Sequence, residues 1–162
     1  MPSPNDWTDR QDALGPAAAR QSVGRLEPGE IRFLERLQAI NPSSPLSQQV
    51  KWLPKGARIN GQTMPSNDFI WLDHGGIEME LKSPGTTFPY AVINRIWKSV
   101  NHAWNRHGFI KTNFIIDLAD MVLTVDLREA LATYNLTQSG LPIERVFVMW
   151  QGKIEEIQLM RT

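Results

Sequence analysis

Asp68-Phe69-Ile70-Trp71-Leu72-Asp73-His74-Gly75-Gly76-Ile77-Glu78-Met79-Glu80-Leu81-Lys82-Ser83-Pro84-Gly85-Thr86-Thr87 is the stretch on which the reading of this sequence turns. Two apolar runs flank an Asp-His-Gly-Gly segment, and short loops rich in Asp and Gly join hairpin strands. From Ile77 the residues alternate: Ile77, Met79 and Leu81 share one face, and Glu78, Glu80 and Lys82 the other. That alternation alone is equally the pattern of a solvated strand face. Ser83-Pro84-Gly85-Thr86-Thr87 then breaks the strand and leads into a helix reaching about residue 106. On this helix Ile93, Ile96, Trp97, Val100 and Trp104 form an apolar side, and Gly108 is placed to stop it.

Working outward, Pro28 opens a second amphipathic helix carrying Ile31, Phe33, Leu34, Leu37 and Ile40, and Asn41-Pro42 ends it. Gln49-Val50-Lys51-Trp52-Leu53 reads as a short strand, and Asn60-Gly61 as a tight turn. Towards the C-terminus, Phe114-Ile115-Ile116 forms a buried strand leading to Asp117. Thr124 is suited to cap a helix over 125–134. Runs beginning at Val146 and Lys153 flank Gln151-Gly152 as a hairpin. Residues 1–26 lack sustained periodicity and read as a tail or linker with a short helical piece near Ala17-Ala18-Ala19-Arg20, leaving 27–162 as one domain. The expected fold class is α+β: an N-terminal helix packed on a twisted, mixed, mostly antiparallel sheet, with two further helices.

Composition narrows the function. The 162 residues carry 17 basic and 17 acidic side chains and no cysteine, so the molecule has no net field and thiolate zinc sites, disulfides and thiol nucleophiles are excluded. Neither a signal peptide nor a membrane-length apolar run is visible, so a protein without a membrane partner is expected. No His-x-x-x-His pair, carboxylate cage or Gly-rich phosphate loop occurs, so no metal or other cofactor is read from the motifs.

Charge is nevertheless unevenly spread. Between residues 84 and 116, Arg95, Lys98, Arg106 and Lys111 are accompanied by no acid. Arg95, Lys98, His102 and Arg106 fall on one stripe of the long helix, opposite its apolar side, and form a candidate RNA-binding face. Next to it, Lys82 can meet charge developing on a phosphate, Glu80 and Asp68 can act as base, orienter or magnesium ligand, and Ser83, Thr86 and Thr87 can donate to phosphate oxygens. His74, His102 and His107 are the candidate proton-transfer groups, His74 first among them. Asp117 reads as a cap of the turn that follows it, and Trp97 and Trp104 as core rather than stacking platforms.

These residues carry a resemblance. Asp68-Phe69-Ile70-Trp71, Ile77-Glu78-Met79-Glu80-Leu81-Lys82-Ser83-Pro84, the Ile93 helix, Phe114-Ile115-Ile116-Asp117-Leu118 and the C-terminal hairpin look like the C-terminal tRNA nuclease domains of CdiA contact-dependent growth inhibition toxins and related polymorphic toxins. The resemblance covers roughly residues 30–161, and its sharp motif is Glu80-Leu81-Lys82-Ser83-Pro84. It implies a barnase/EndoU/colicin/RelE (BECR) fold and an endoribonuclease that cuts tRNA, commonly without metal. It also implies a cognate immunity protein and action in the cytoplasm of a target cell after delivery as part of a secreted effector. Lys82 and Ser83, with Thr86 or Thr87, match the family's active-site stretch.

The reaction expected on that basis is attack of a ribose 2′-OH on phosphorus to leave a 2′,3′-cyclic phosphate. Lys82 would hold the charge and His74 or His102 would move the protons. A rival reading takes Asp68 with Glu80-Leu81-Lys82 as the sparse Asp…Glu-x-Lys pattern of PD-(D/E)xK metal-dependent nucleases. A third makes the chain a non-catalytic interaction domain.

Overall fold

The computed structural model describes residues 4–14, 26–54, 58–63 and 65–161. Two compact units emerge, Met1–Glu78 and Met79–Thr162, and the division falls inside a strand. The class is α+β with a mixed sheet.

In the first unit, α1 (Pro4–Ala13) precedes α2 (Pro28–Ile40), the one-turn α3 (Leu46–Gln49) and β1 (Val50–Trp52). After β2 (Arg58–Ile59) and β3 (Gln62–Thr63), β4 (Phe69–Trp71) runs into a 3-10 turn over Leu72–His74. The apolar spacing of α2 buries Ile31, Phe33, Leu34 and Leu37, with Pro28 in the first turn as expected. β1 and β4 pair antiparallel, and Phe69 stacks on Trp52 with centroids 5.4 Å apart and meets Phe33 of α2 at 5.5 Å. The expected helix-on-strand packing is therefore present. Asn60-Gly61 turns β2 into β3 with φ of 51° and 78°, the left-handed pair that a tight hairpin demands.

α1 lies within the stretch that reads as a tail. Arg10 pairs with Glu35 of α2, and the buried Gln11 Oε1 accepts from the Leu26 amide at 2.9 Å. The expected helical piece near Ala17 lies outside the described residues.

The second unit is built on β5 (Ile77–Lys82), whose first two residues belong to the first unit. It continues with α4 (Pro89–His107), β6 (Asn113–Asp117), α5 (Val125–Ala132), the one-turn α6 (Tyr134–Thr137), β7 (Arg145–Trp150) and β8 (Lys153–Ile157). β5 pairs parallel with β6 and β6 parallel with β7, while β7 and β8 run antiparallel. The sheet is thus mixed, as the sequence reading has it, with antiparallel pairs β1–β4 and β7–β8 and a parallel neighbour on either side of β6. The reason is the connection: parallel neighbours need a long crossover, and α4 and then α5 with α6 supply the two.

α4 and α5 cover one side of this sheet. Val92, Ile93, Ile96 and Val100 of α4 join Leu127 and Leu131 of α5 over Phe114, Ile116, Val146, Val148 and Ile157. Trp104, expected in that face, is 43% exposed instead, because the buried arc runs through Val92 and Ala103. Gly108, at φ 64°, stops α4 as its position suggests. Thr124 Oγ1 accepts from the Leu127 amide at 3.1 Å and caps α5. That helix ends at Ala132, short of the expected residue 134, where the Thr133 hydroxyl donates back to the Glu129 carbonyl at 2.9 Å. No helix among the described residues is long and apolar enough to cross a membrane.

Candidate functional site

Strand register decides where the charged residues of β5 point. Glu80 is level with Phe114 and Lys82 with Ile116 in the parallel pairing. Level residues of neighbouring strands share a face. Phe114 and Ile116 lie under the helices, so Glu80 and Lys82 project on the helix-covered side. The consequence overturns the solvated-face reading for Glu80, which is only 5% exposed.

A buried carboxylate needs a partner, and Glu80 has two. Lys111, three residues ahead of its register partner Phe114, makes an ion pair with Oε2. Lys82 Nζ lies 3.9 Å from Oε1, an ion-pair distance beyond hydrogen-bond length. The lysine side chains are 11% and 24% exposed, respectively. Two ammonium groups thus share one carboxylate, leaving one positive charge uncompensated within the trio in a largely desolvated place. An anion entering there would meet a prepared field.

Sequence reasoning counts Lys111 among the basic residues but misses its role. The available signal was the acid-free run from 84 to 116: the nearest preceding acid in sequence to Lys111 is Glu80.

β5 delivers Lys82 and Ser83 to its carboxyl end, and in open parallel sheets that end is where ligands enter. Ser83 is exposed, while Thr86 and Thr87 are half-buried in the loop ahead of α4. Thr86 Oγ1 accepts from the Phe88 amide at 3.1 Å, so Thr86 shapes the entry to the helix and keeps its own proton available for donation. Gly85, at φ 69°, takes a turn that a side chain would strain.

Asp68 and His74 belong to the first unit, and Glu80 and Lys82 to the second. The His74 ring stacks on Trp71 with centroids 3.6 Å apart, and Nδ1 lies 3.2 Å from Asp73 Oδ1. Both contacts orient the imidazole. Asp117 does cap the following turn: Oδ1 accepts from the Ala119 amide at 2.9 Å, and Ala119 adopts φ 56°. Among the described residues no three His, Cys, Asp or Glu side chains gather in a metal-holding group.

The α4 stripe is as the spacing predicts. Arg95, Lys98, His102 and Arg106 are all exposed, and His107 is half-buried. His102 lies thirteen residues beyond Pro89, roughly 20 Å along the axis at 1.5 Å per residue. The stripe therefore extends well away from the start of the helix, and only its first turns lie near the loop after Lys82.

Comparison with models of protein families, with curated proteins and with solved structures gives no match for this chain.

Proposed function

We propose that this chain is a nuclease that cuts RNA, with Glu80 and Lys82 at its reaction centre and the exposed stripe of α4 as its backbone contact. The observation that carries the reading is the buried Glu80 carboxylate shared by Lys82 and Lys111 beside the carboxyl end of β5. A phosphodiester is the anion best matched to that surplus charge, since Lys82 Nζ faces the charge that builds on phosphorus and Glu80 fixes the ammonium in place. Ser83 and Thr87 add neutral donors at the same strand end. The resemblance supports tRNA as substrate class, a toxin role in a target cell's cytoplasm and an immunity protein as partner.

The reaction proposed is attack of the ribose 2′-OH on the adjacent phosphorus, leaving a 2′,3′-cyclic phosphate. Glu80 and Lys82 are neighbours on one strand face, and His102 of α4 is the proton-transfer candidate within the same unit. Glu80, already shared by two ammonium groups, is suited to positioning Lys82 rather than to ligating a divalent cation.

The test is incubation with total tRNA, with and without EDTA, followed by mapping of the ends. Cleavage that survives EDTA and leaves 2′,3′-cyclic-phosphate ends is expected, whereas chelator-sensitive cleavage leaving 5′-phosphates would overturn this route in favour of a metal-dependent one. Lys82→Ala should slow cleavage about 100-fold. No cleavage together with harmless expression in cells would leave an interaction domain.

A further inference from the structure

The second unit contains a cavity of about 570 Å³, within the range of roughly 300–1,000 Å³ typical of small-molecule sites. It opens between the first two turns of α4 and the end of α5 with α6. Tyr90 and Trp97 contribute aromatic rings, Asn94 and Gln138 side-chain amides, and Thr137 and Ser139 further polar groups. None of its ten lining residues is charged.

Its construction is uneven in a telling way. Trp97 is fixed, with its indole Nε1–H donating to the Ser139 carbonyl at 3.0 Å and its ring packed against the core. The carbonyl of Trp97 in turn accepts from the buried Asn101 amide at 2.8 Å. Gly140 borders Asn101 so closely, at φ 93°, that an added Cβ would lie 2.2 Å from Asn101 Oδ1. Tyr90, by contrast, is 72% exposed, an aromatic ring held in water at the rim. Just beyond the neutral lining stands charge: Lys98 follows Asn94 by four residues and so sits only about 40° further round α4.

We propose that this cavity receives an unpaired nucleobase of the RNA substrate. A neutral pocket with two aromatic rings and two amides matches a base, which has a π-face and a hydrogen-bonding edge but no charge. The adjoining Lys98 and Arg95 match the phosphates on either side of that base. The pocket begins at Pro89, seven residues after Lys82, so a base seated there sets which phosphodiester reaches the cationic strand end. The inference rests on the reading of the chain as an RNA nuclease.

The experiment uses short single-stranded 2′-O-methyl RNA oligonucleotides in EDTA, which neither route can cut, titrated into the full chain with indole N–H signals recorded by NMR. The Trp97 Nε1–H signal should shift on binding, and Tyr90→Ala should weaken affinity at least 5-fold, the lower end of about 1–3 kcal/mol for one stacked base. Asn94→Ala should change the preference among oligoadenylate, oligocytidylate and oligouridylate. A Trp97 signal that stays fixed, or Tyr90→Ala binding as tightly as the parent, overturns the proposal. Cleavage of tRNA by the parent is scored separately. Cleavage that Tyr90→Ala leaves untouched refutes the base pocket and spares the nuclease, while base binding without cleavage does the reverse.

Discussion

Removing the charge of Glu80 tests the site most sharply, because one carboxylate holds two lysines. In Glu80→Gln the amide keeps the shape of the side chain, but Lys111, 11% exposed, loses its counter-charge. At an effective dielectric near 20, a pair of unit charges about 4 Å apart attracts by roughly 4 kcal/mol, and breaking a buried pair from one side typically costs about 3–5 kcal/mol. Lys82, at 24% exposure, can swing towards water and recover part of its loss. A destabilisation of about 3 kcal/mol follows for Glu80→Gln in urea unfolding. Lys111→Met removes the orphaned cation, so the double variant should recover about 2 kcal/mol of that loss, seen as coupling in a double-mutant cycle. Glu80→Gln within about 0.5 kcal/mol of the parent, or a cycle without coupling, would refute the clamp and with it the prepared field around Lys82.

Tyr134 is 1% exposed and its hydroxyl has no hydrogen-bond partner among the described residues, so Tyr134→Phe should raise stability at pH 7 by about 1 kcal/mol in urea unfolding. Burial also pushes the Tyr134 phenol up from 10.0 to about 12. The folded phenol stays neutral while the unfolded one ionises, so this stability is complete below pH 10 and is lost as pH rises towards 12. The advantage of Tyr134→Phe should therefore widen by roughly 3 kcal/mol across that window. Replacing Arg95 and Lys98 together by Gln should weaken RNA binding without altering the single-turnover rate at saturation, and should flatten the dependence of log K on log salt by about one to two units. An unchanged salt slope would remove the stripe from the interface.

Much of the fold was legible because it is punctuated locally. Pro28 and Pro89 sit in the first turns of their helices, Gly108 stops α4, Thr124 caps α5, and Gln151-Gly152, at φ 48° and 77°, turns β7 into β8. Strand order was not legible, since the pairing of β5 with β6 joins residues more than thirty apart and alternation within β5 is the same for either direction of its neighbour. α1 escaped because its sequence, Pro-Asn-Asp-Trp-Thr-Asp-Arg-Gln-Asp-Ala, has no apolar stripe; its hold comes from Arg10 and Gln11, a polar docking that periodicity cannot register. At the site, Glu80 and Lys82 were visible as a pair, yet the burial of one and the arrival of Lys111 needed the register. The cavity beside Tyr90 draws on three separate segments and had no sequence signature at all.

Gly140 carries a last consequence. It sits on the outside of the molecule, yet any side chain there must rotate the Asn101 amide away from the Trp97 carbonyl while also straining a left-handed backbone. In a survey of every single substitution, this surface position would tolerate as little as an interior one. Its sensitivity would report on the posture of the Trp97 indole rather than on any partner that touches the loop.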